Sequence, residues 1–257
     1  MRLYKDKTKN SLYFLYRIIS QVFDPIRFVY GLYGYIWFLR DIFVFKSKSK
    51  KKILTGNLFP MLHDKIKFTP FDTHYFYQQI WCFDQVHKHL PKEHTDIGSS
   101  YELCGYFSLF LKTIFVDLRP IPAQLNNLSV VKGDILNLPF LSNSLQSVSC
   151  LHVAEHIGLG RYGDSINPKG TELACGELAR VLAPGGRLYF SLPIGRERVC
   201  FNAHRVHSPQ TILGYFEGLK PISFSVVDDF GNYKKNVNPL DFSNLSYGCG
   251  MFVFEKK

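Results

Sequence analysis

Apolar and polar positions fall into two periods along this chain. Leu12, Leu15, Tyr16, Ile19, Val22 and Phe23 recur at helical spacing with Arg17 and Gln21 off the stripe, which predicts an amphipathic helix. Asp24 then Pro25 supplies an N-cap and a first-turn proline, so a second helix is expected to run through FVYGLYGYIWFLRDIFVF. Its uncharged run, Phe28 to Leu39, is twelve residues. That is short of the roughly 20 a spanning helix needs, and Arg40 with Asp41 interrupts it. Residues 53–70 contain Gly, two Pro and no clear period, and read as a linker.

From Asp72 the pattern changes to strands alternating with helices. Asp72 caps a helix that places Phe76, Ile80, Phe83, Val86 and Leu90 on one face, and Pro91 stops it. HTDIG reads as a strand ending at Gly98, followed by a helix with Leu103, Phe107 and Phe110 inward, then TIFVDL as a second strand. Leu128–Asp134 and Ser147–Val153 are strands, 171–183 is a helix, and Arg187–Leu192 is a strand. Ser208 and Pro209 cap a helix holding Ile212, Tyr215, Phe216 and Leu219. PISFSVVDD and GMFVFEK then close the chain as a pair of strands. Seven strands with helices between the first five predict an α/β, Rossmann-like, doubly wound sheet over 72–257. Residues 1–52 form a helical arm and 53–71 the linker.

Charge sharpens that division. Residues 1–52 contain 12 Lys and Arg against 3 Asp, while the remainder has 19 against 18, so the arm carries nearly all of the net +10. Aromatic residues beside KSKSKKK at 46–52 suit a segment lying at an anionic bilayer, and packing of the arm on protein is the competing expectation. Nucleic acid is the weaker reading, because no recognised reading module accompanies the charge. The six cysteines are dispersed without a Cys-x-x-Cys pair, which suggests a reducing environment and inert buried thiols. No apolar run ending in a small-residue cleavage site marks a secretory signal. The expected location is cytoplasmic, with peripheral contact at the inner face of the membrane.

Chemistry concentrates at the predicted strand ends. An acidic residue closing the second strand of a nucleoside-binding α/β sheet can accept both ribose hydroxyls, and Asp117, followed by Leu118, occupies that position. The first strand ends in DIGSSYELCG, so Asp96, Gly98 and Ser99 form the turn that a cofactor would approach, without a fuller Gly-x-Gly-x-Gly run. GDILNLPF places Asp134 after the third strand to receive an adenine amino group, with Ile135 beside it to pack on the ring.

The words GDILNLPF, HVAEHI and RVLAPGGRLYFSLP resemble class I S-adenosylmethionine-dependent methyltransferases. HYFYQQIW, HVAEHIGLGRYGD and PIGRERVCFNAHRVHSP resemble one uncharacterised subfamily linked with bacterial surface-polysaccharide genes. The resemblance implies S-adenosyl-L-methionine as cofactor and O-methylation of a sugar or lipid-linked glycan. A methyltransferase-fold protein that has lost catalysis and serves polysaccharide assembly is the alternative.

The acceptor side is expected in the loops after the fourth and fifth strands. Arg161, Tyr162 and Asp164 in one, and Arg196, Asn202, His204 and Arg205 in the other, offer hydrogen bonds to a polyhydroxylated acceptor. His152, Glu155 and His156 are the catalytic candidates, with either histidine as base and Glu155 orienting it, in a metal-free site. A related acidic-x-x-Glu-His word in some quinone-pathway O-methyltransferases binds a divalent ion, which keeps a metal-assisted alternative open. HVAEH also spells a zinc-peptidase word, which would require both histidines on one helix, and Gly158 with Gly160 argues against that helix.

Overall fold

A computed structural model describes residues 11–49 and 51–257. The first ten residues of the predicted arm and Lys50 of its lysine run lie outside them. The chain divides into two compact units at Phe71/Asp72.

In the first unit, α1 (Ser11–Ile19) ends earlier than the periodicity predicts, and Val22 and Phe23 fall outside it. Helix α2 (Pro25–Lys48) is 24 residues long, and Asp24 caps it by accepting the Arg27 N–H at 2.9 Å. By length and composition α2 is long and apolar enough to cross a membrane, twice the uncharged run that its sequence suggested, because the Arg40–Asp41 pair is carried within the helix.

The second unit is built on an eight-stranded sheet. Its strands are β1 (Glu93–Ile97), β2 (Lys112–Asp117), β3 (Leu128–Lys132), β4 (Leu145–Leu151), β5 (Leu182–Ile194), β8 (Leu219–Val227), β9 (Tyr233–Lys234) and β10 (Gly248–Lys256). They lie in the order β3-β2-β1-β4-β5-β10-β8-β9, the first five parallel to one another and β10, β8 and β9 each antiparallel to the strand before it in that order. A separate hairpin, β6 (Arg198–Cys200) with β7 (His204–Val206), follows β5.

Four helices accompany the strands: α3 (Thr73–His89), α4 (Tyr101–Phe107), α5 (Gly170–Val181) and α6 (Pro209–Tyr215). Helices were expected between the first five strands, and α4 and α5 are the two found, whereas β2–β3 and β3–β4 are joined by loops. Those loops hold Pro120, Pro122 and Pro139, which deny the backbone N–H groups a helix would need.

Nearly continuous buried runs in β4, β5 and β10 mark the centre of the sheet, with Ser147 and Ser149 the buried polar members of β4. Helix α3 departs from its predicted face. His74, Gln78, Trp81, Cys82 and Val86 are the buried stripe, while Phe76, Ile80 and Leu90 are exposed. Spacing of 74, 78, 81, 82 and 86 is helical, but its first two members are polar, so counting apolar residues selects the wrong phase. Gln78 Oε1 accepts from Ser191 Oγ at 2.7 Å, and His94 spans Ser147 and Ser149 at 2.7 and 2.9 Å. Every cysteine is unpaired, and burial pushes the Cys82, Cys104 and Cys150 thiols well above their ordinary range.

Candidate active site

The strand order reverses between β1 and β4, and open α/β sheets hold ligands outside the carboxyl ends at such a point. A cleft opens there, lined by Gly98, Asp117, Leu118, Ile135, His152, Val153, His156, Tyr162 and Asp164 among others. Four of the seven predicted cofactor residues therefore meet in one place. Gly98 has φ +65°, and a Cβ added to it would stand 3.4 Å from Val153 and 3.8 Å from Asp117 Oδ2. The turn thus draws the backbone close to the Asp117 carboxylate in a conformation that favours glycine.

Asp117 Oδ1 accepts the Arg119 backbone N–H at 2.7 Å, while the Arg119 guanidinium lies over the Tyr162 ring at 5.1 Å and not on the carboxylate. The second Asp117 oxygen lies on the Gly98 side, and Asp117 is part of the cleft lining. The other three predicted cofactor residues are elsewhere. Asp96 is fully buried, accepting from Ser99 N–H at 2.9 Å and from Ser149 Oγ, and Ser99 Oγ accepts the Leu151 N–H at 2.9 Å. Both brace the turn from behind, because the strand pleat points Asp96 inward. Burial raises the Asp96 carboxyl to about 6 against the lowering effect of those hydrogen bonds. Asp134 is exposed and caps its own turn through Leu136 N–H at 2.9 Å, leaving Ile135 as the residue that reaches the cleft.

The loop after β4 forms the opposite wall. His152 has φ +54°, an uncommon conformation for a residue with a Cβ, and is held there by its N–H to Ser191 O at 2.8 Å. Its Nδ1 is 3.1 Å from Glu155 Oε1 and its Nε2 3.3 Å from Cys249 Sγ. Burial disfavours the His152 cation, but the Cys249 sulfur and the Glu155 carboxylate outweigh that and raise it to about 10. Glu155 has no exposure. Burial opposes its charge, His152 more than offsets this, and its carboxyl lies below the usual range. His156 Nδ1 is 2.6 Å from Ala203 O, and since a carbonyl only accepts, Nδ1 carries a proton, so that in the neutral ring the lone pair is on Nε2, 3.7 Å from Glu155 Oε1.

Around this trio stand rings that, His204 apart, had no role in the sequence reading. His74 stacks on Tyr247 at 5.3 Å, Tyr75 lies 5.4 Å from His152, and His204 is 5.1 Å from Tyr247. The Nε2 atoms of His74 and His204 are buried without a hydrogen-bond partner. Burial lowers each of these imidazoles to about 4. The signal for His74 was the helical spacing of α3, which a count that included polar residues would have found.

Several predicted acceptor residues are committed to the protein itself. Arg205 is buried and donates to Ile157 O at 2.5 Å and Asn167 O at 3.0 Å, clamping the loop after β4. Asp164 lines the cleft but accepts from Gly158 and Tyr162 N–H at 2.6 and 3.2 Å, and Arg161 donates to Ala203 O at 3.0 Å. Arg196, Asn202 and His204 do not line the cleft, and Tyr162 does. Ala154–His156 is a single 3-10 turn, so the helix a zinc-peptidase word demands is absent. Among the described residues, no three His, Cys, Asp or Glu side chains converge as a metal set.

A family model described as a Caenorhabditis protein of unknown function, DUF268, matches residues 136–244. No curated protein matches the chain in sequence. Among solved structures, the N-methyltransferase NodS from Bradyrhizobium japonicum WM9, in complex with S-adenosyl-L-homocysteine, is similar at TM-score 0.50 and 14% identity, over 77% of this chain and 91% of that one. The YcgJ protein from Bacillus subtilis is similar at TM-score 0.50 and 13% identity, over 71% and 99%. The fold is of the class I methyltransferase type. The [4+2]-cyclase SpnF is similar at TM-score 0.50 and 10% identity, over 69% and 81%, so a shared fold does not dictate the reaction. None of these matches carries the bacterial surface-polysaccharide link that the sequence words implied.

Proposed function

We propose that the chain is an S-adenosylmethionine-dependent methyltransferase acting on a hydroxyl-bearing acceptor of the sugar or lipid-linked glycan class. The observation that carries the reading is the Asp117 carboxylate in the cleft lining, with Oδ1 capped by the Arg119 N–H and Oδ2 beside Gly98. A ribose diol fits that oxygen, and the apolar side chains of Leu118 and Ile135 fit a purine. Bound there, the cofactor would supply an electrophilic methyl group.

The chain's own task is to hold the acceptor and remove its proton. His156 is suited to this, because the Ala203 carbonyl fixes its proton on Nδ1 and leaves Nε2 basic. Glu155 would stabilise the imidazolium formed at Nε2, the distance now being 3.7 Å. His152 is already protonated at neutral pH, so its role is to hold Glu155 and not to act as base. Of the two histidines in the sequence reading, the assignment therefore favours His156. Tyr162 is the cleft-lining side chain left to meet acceptor hydroxyls.

A binding protein without catalysis is the second reading, favoured by the inward commitment of Arg205, Asp164 and Asp96. Turnover of radiolabelled methyl donor with a glycan or glycolipid acceptor, in the presence of chelator, separates the two. We expect His156→Gln to lower kcat by about two orders of magnitude with donor affinity intact, in line with loss of a general base. Full turnover in that variant removes His156 from the chemistry, and turnover abolished by chelator and restored by a divalent ion overturns the metal-free site.

A further inference from the structure

The first unit carries an inference independent of the enzyme reading. Helix α2 is unusual in exposing apolar side chains while one stripe of it is covered. Gly31, Gly34, Trp37, Phe38, Asp41 and Ile42 form the covered stripe at three- and four-residue spacing. What covers it is an irregular strap from the same unit. A Cβ on Gly34 would stand 2.8 Å from the Leu62 Cβ and 3.2 Å from the Leu62 carbonyl oxygen, so glycine is what lets the strap backbone seat. Lys65 of the strap lies 4.5 Å over the Trp37 ring and 3.3 Å from Asp41.

The opposite face, one half-turn away, holds Val29, Leu32, Ile36, Leu39 and Phe43, again at three- and four-residue spacing and all exposed. Ile36 is 67% and Phe43 75% exposed. Tyr33 and Tyr35 flank that stripe. Charge is arranged to match. The acids Asp24 and Asp41 are engaged inside the unit, by Tyr16 and the Arg27 N–H and by Arg40 and Lys65. Arg17, Arg27, Lys46, Lys48, Lys51 and Lys52 have no ion pair among the described residues.

We infer that α2 lies flat in the interface of an anionic bilayer, with Val29, Leu32, Ile36, Leu39 and Phe43 in the acyl boundary and the strap facing water. Length alone would permit α2 to span. The strap decides against it: Gly34 is near the middle of the helix, so a spanning pose would bury the irregular backbone at Leu62 and the Lys65–Asp41 pair at bilayer depth. Irregular backbone facing lipid is not tolerated there. An interfacial helix keeps those groups wet, buries one apolar stripe by about 5–10 Å, and presents its lysines to anionic headgroups.

Flotation of the full-length protein with phosphatidylcholine vesicles, with and without phosphatidylserine, tests this. Binding is expected with phosphatidylserine at low salt, with release by high salt or alkaline carbonate. Leu32→Glu/Ile36→Glu should abolish it, while Lys46→Gln, Lys48→Gln, Lys51→Gln and Lys52→Gln should each weaken it roughly fivefold. Circular dichroism checks that the variants keep their helices. Retention through carbonate would overturn the inference in favour of a spanning helix. Failure of the wild-type chain to float with either vesicle would overturn it in favour of packing on protein or on a second copy.

Discussion

Replacing Glu155 by Gln removes one charge from a fully buried pair while keeping the side chain's volume. His152 Nδ1 stands 3.1 Å from Glu155 Oε1, with side-chain exposures of 4% and 1%, so water cannot substitute for the lost partner. Breaking such a pair from one side costs about 3–5 kcal/mol. Linkage limits the loss, because His152 can shed its proton once the carboxylate is gone. Its folded value of about 10 against an ordinary 6.5 means that at neutral pH the pair contributes on the order of 3 kcal/mol, part of it owed to Cys249.

The sign follows from a raised imidazole. The contribution is complete below pH 6.5 and is lost as pH rises through about 10. Urea denaturation from pH 6 to 10 should therefore show wild-type stability falling with pH. Glu155→Gln should start about 3 kcal/mol lower with a flatter profile. His152→Asn tolerates the positive φ, and combined with Glu155→Gln it should cost less than the two singles added. Equal stability and an equal pH slope in Glu155→Gln would refute the pairing.

Acid should act oppositely on other imidazoles. Burial lowers His74 to about 4 and His94 to about 3, so each favours the folded state above pH 6.5 and loses that contribution as pH falls toward its folded value. Unfolding free energies from urea denaturation should be lower at pH 5 than at pH 7 by about 1–2 kcal/mol for each histidine. Gly158→Ala should lower the melting temperature by several degrees, since its Cβ would come 2.1 Å from Asn167 O at φ +78°, whereas Gly176→Ala, with open space in α5, should be neutral or stabilising.

Sequence patterning reached the strands and part of the cleft lining because the central parallel strands are buried and end in polar loops. Gly98, Asp117, Ile135 and His152 were legible for that reason, each standing at a strand end. Asp96 and Ser99 do not line the cleft because their side chains are spent on Ser149, the turn and the Leu151 N–H, which letter spacing does not reveal. Arg205 and Asp164 read as ligand groups since composition cannot tell a carbonyl clamp from a substrate contact. The phase of α3 was lost because its buried face starts with His74 and Gln78, and with it went the ring cluster beside Glu155. The missing helices after β2 and β3 were written in prolines that the strand count overlooked.

Calorimetric titration with S-adenosylmethionine and S-adenosyl-L-homocysteine tests the central claim most directly. Wild type should bind both at one site. Asp117→Ala, losing charge-assisted hydrogen bonds to the ribose, should weaken both by about 1.5–3 kcal/mol, roughly ten- to a hundredfold, with Asp117→Asn between. Binding to wild type that is unchanged in a folded Asp117→Ala variant, or no binding to wild type at all, would contradict the account.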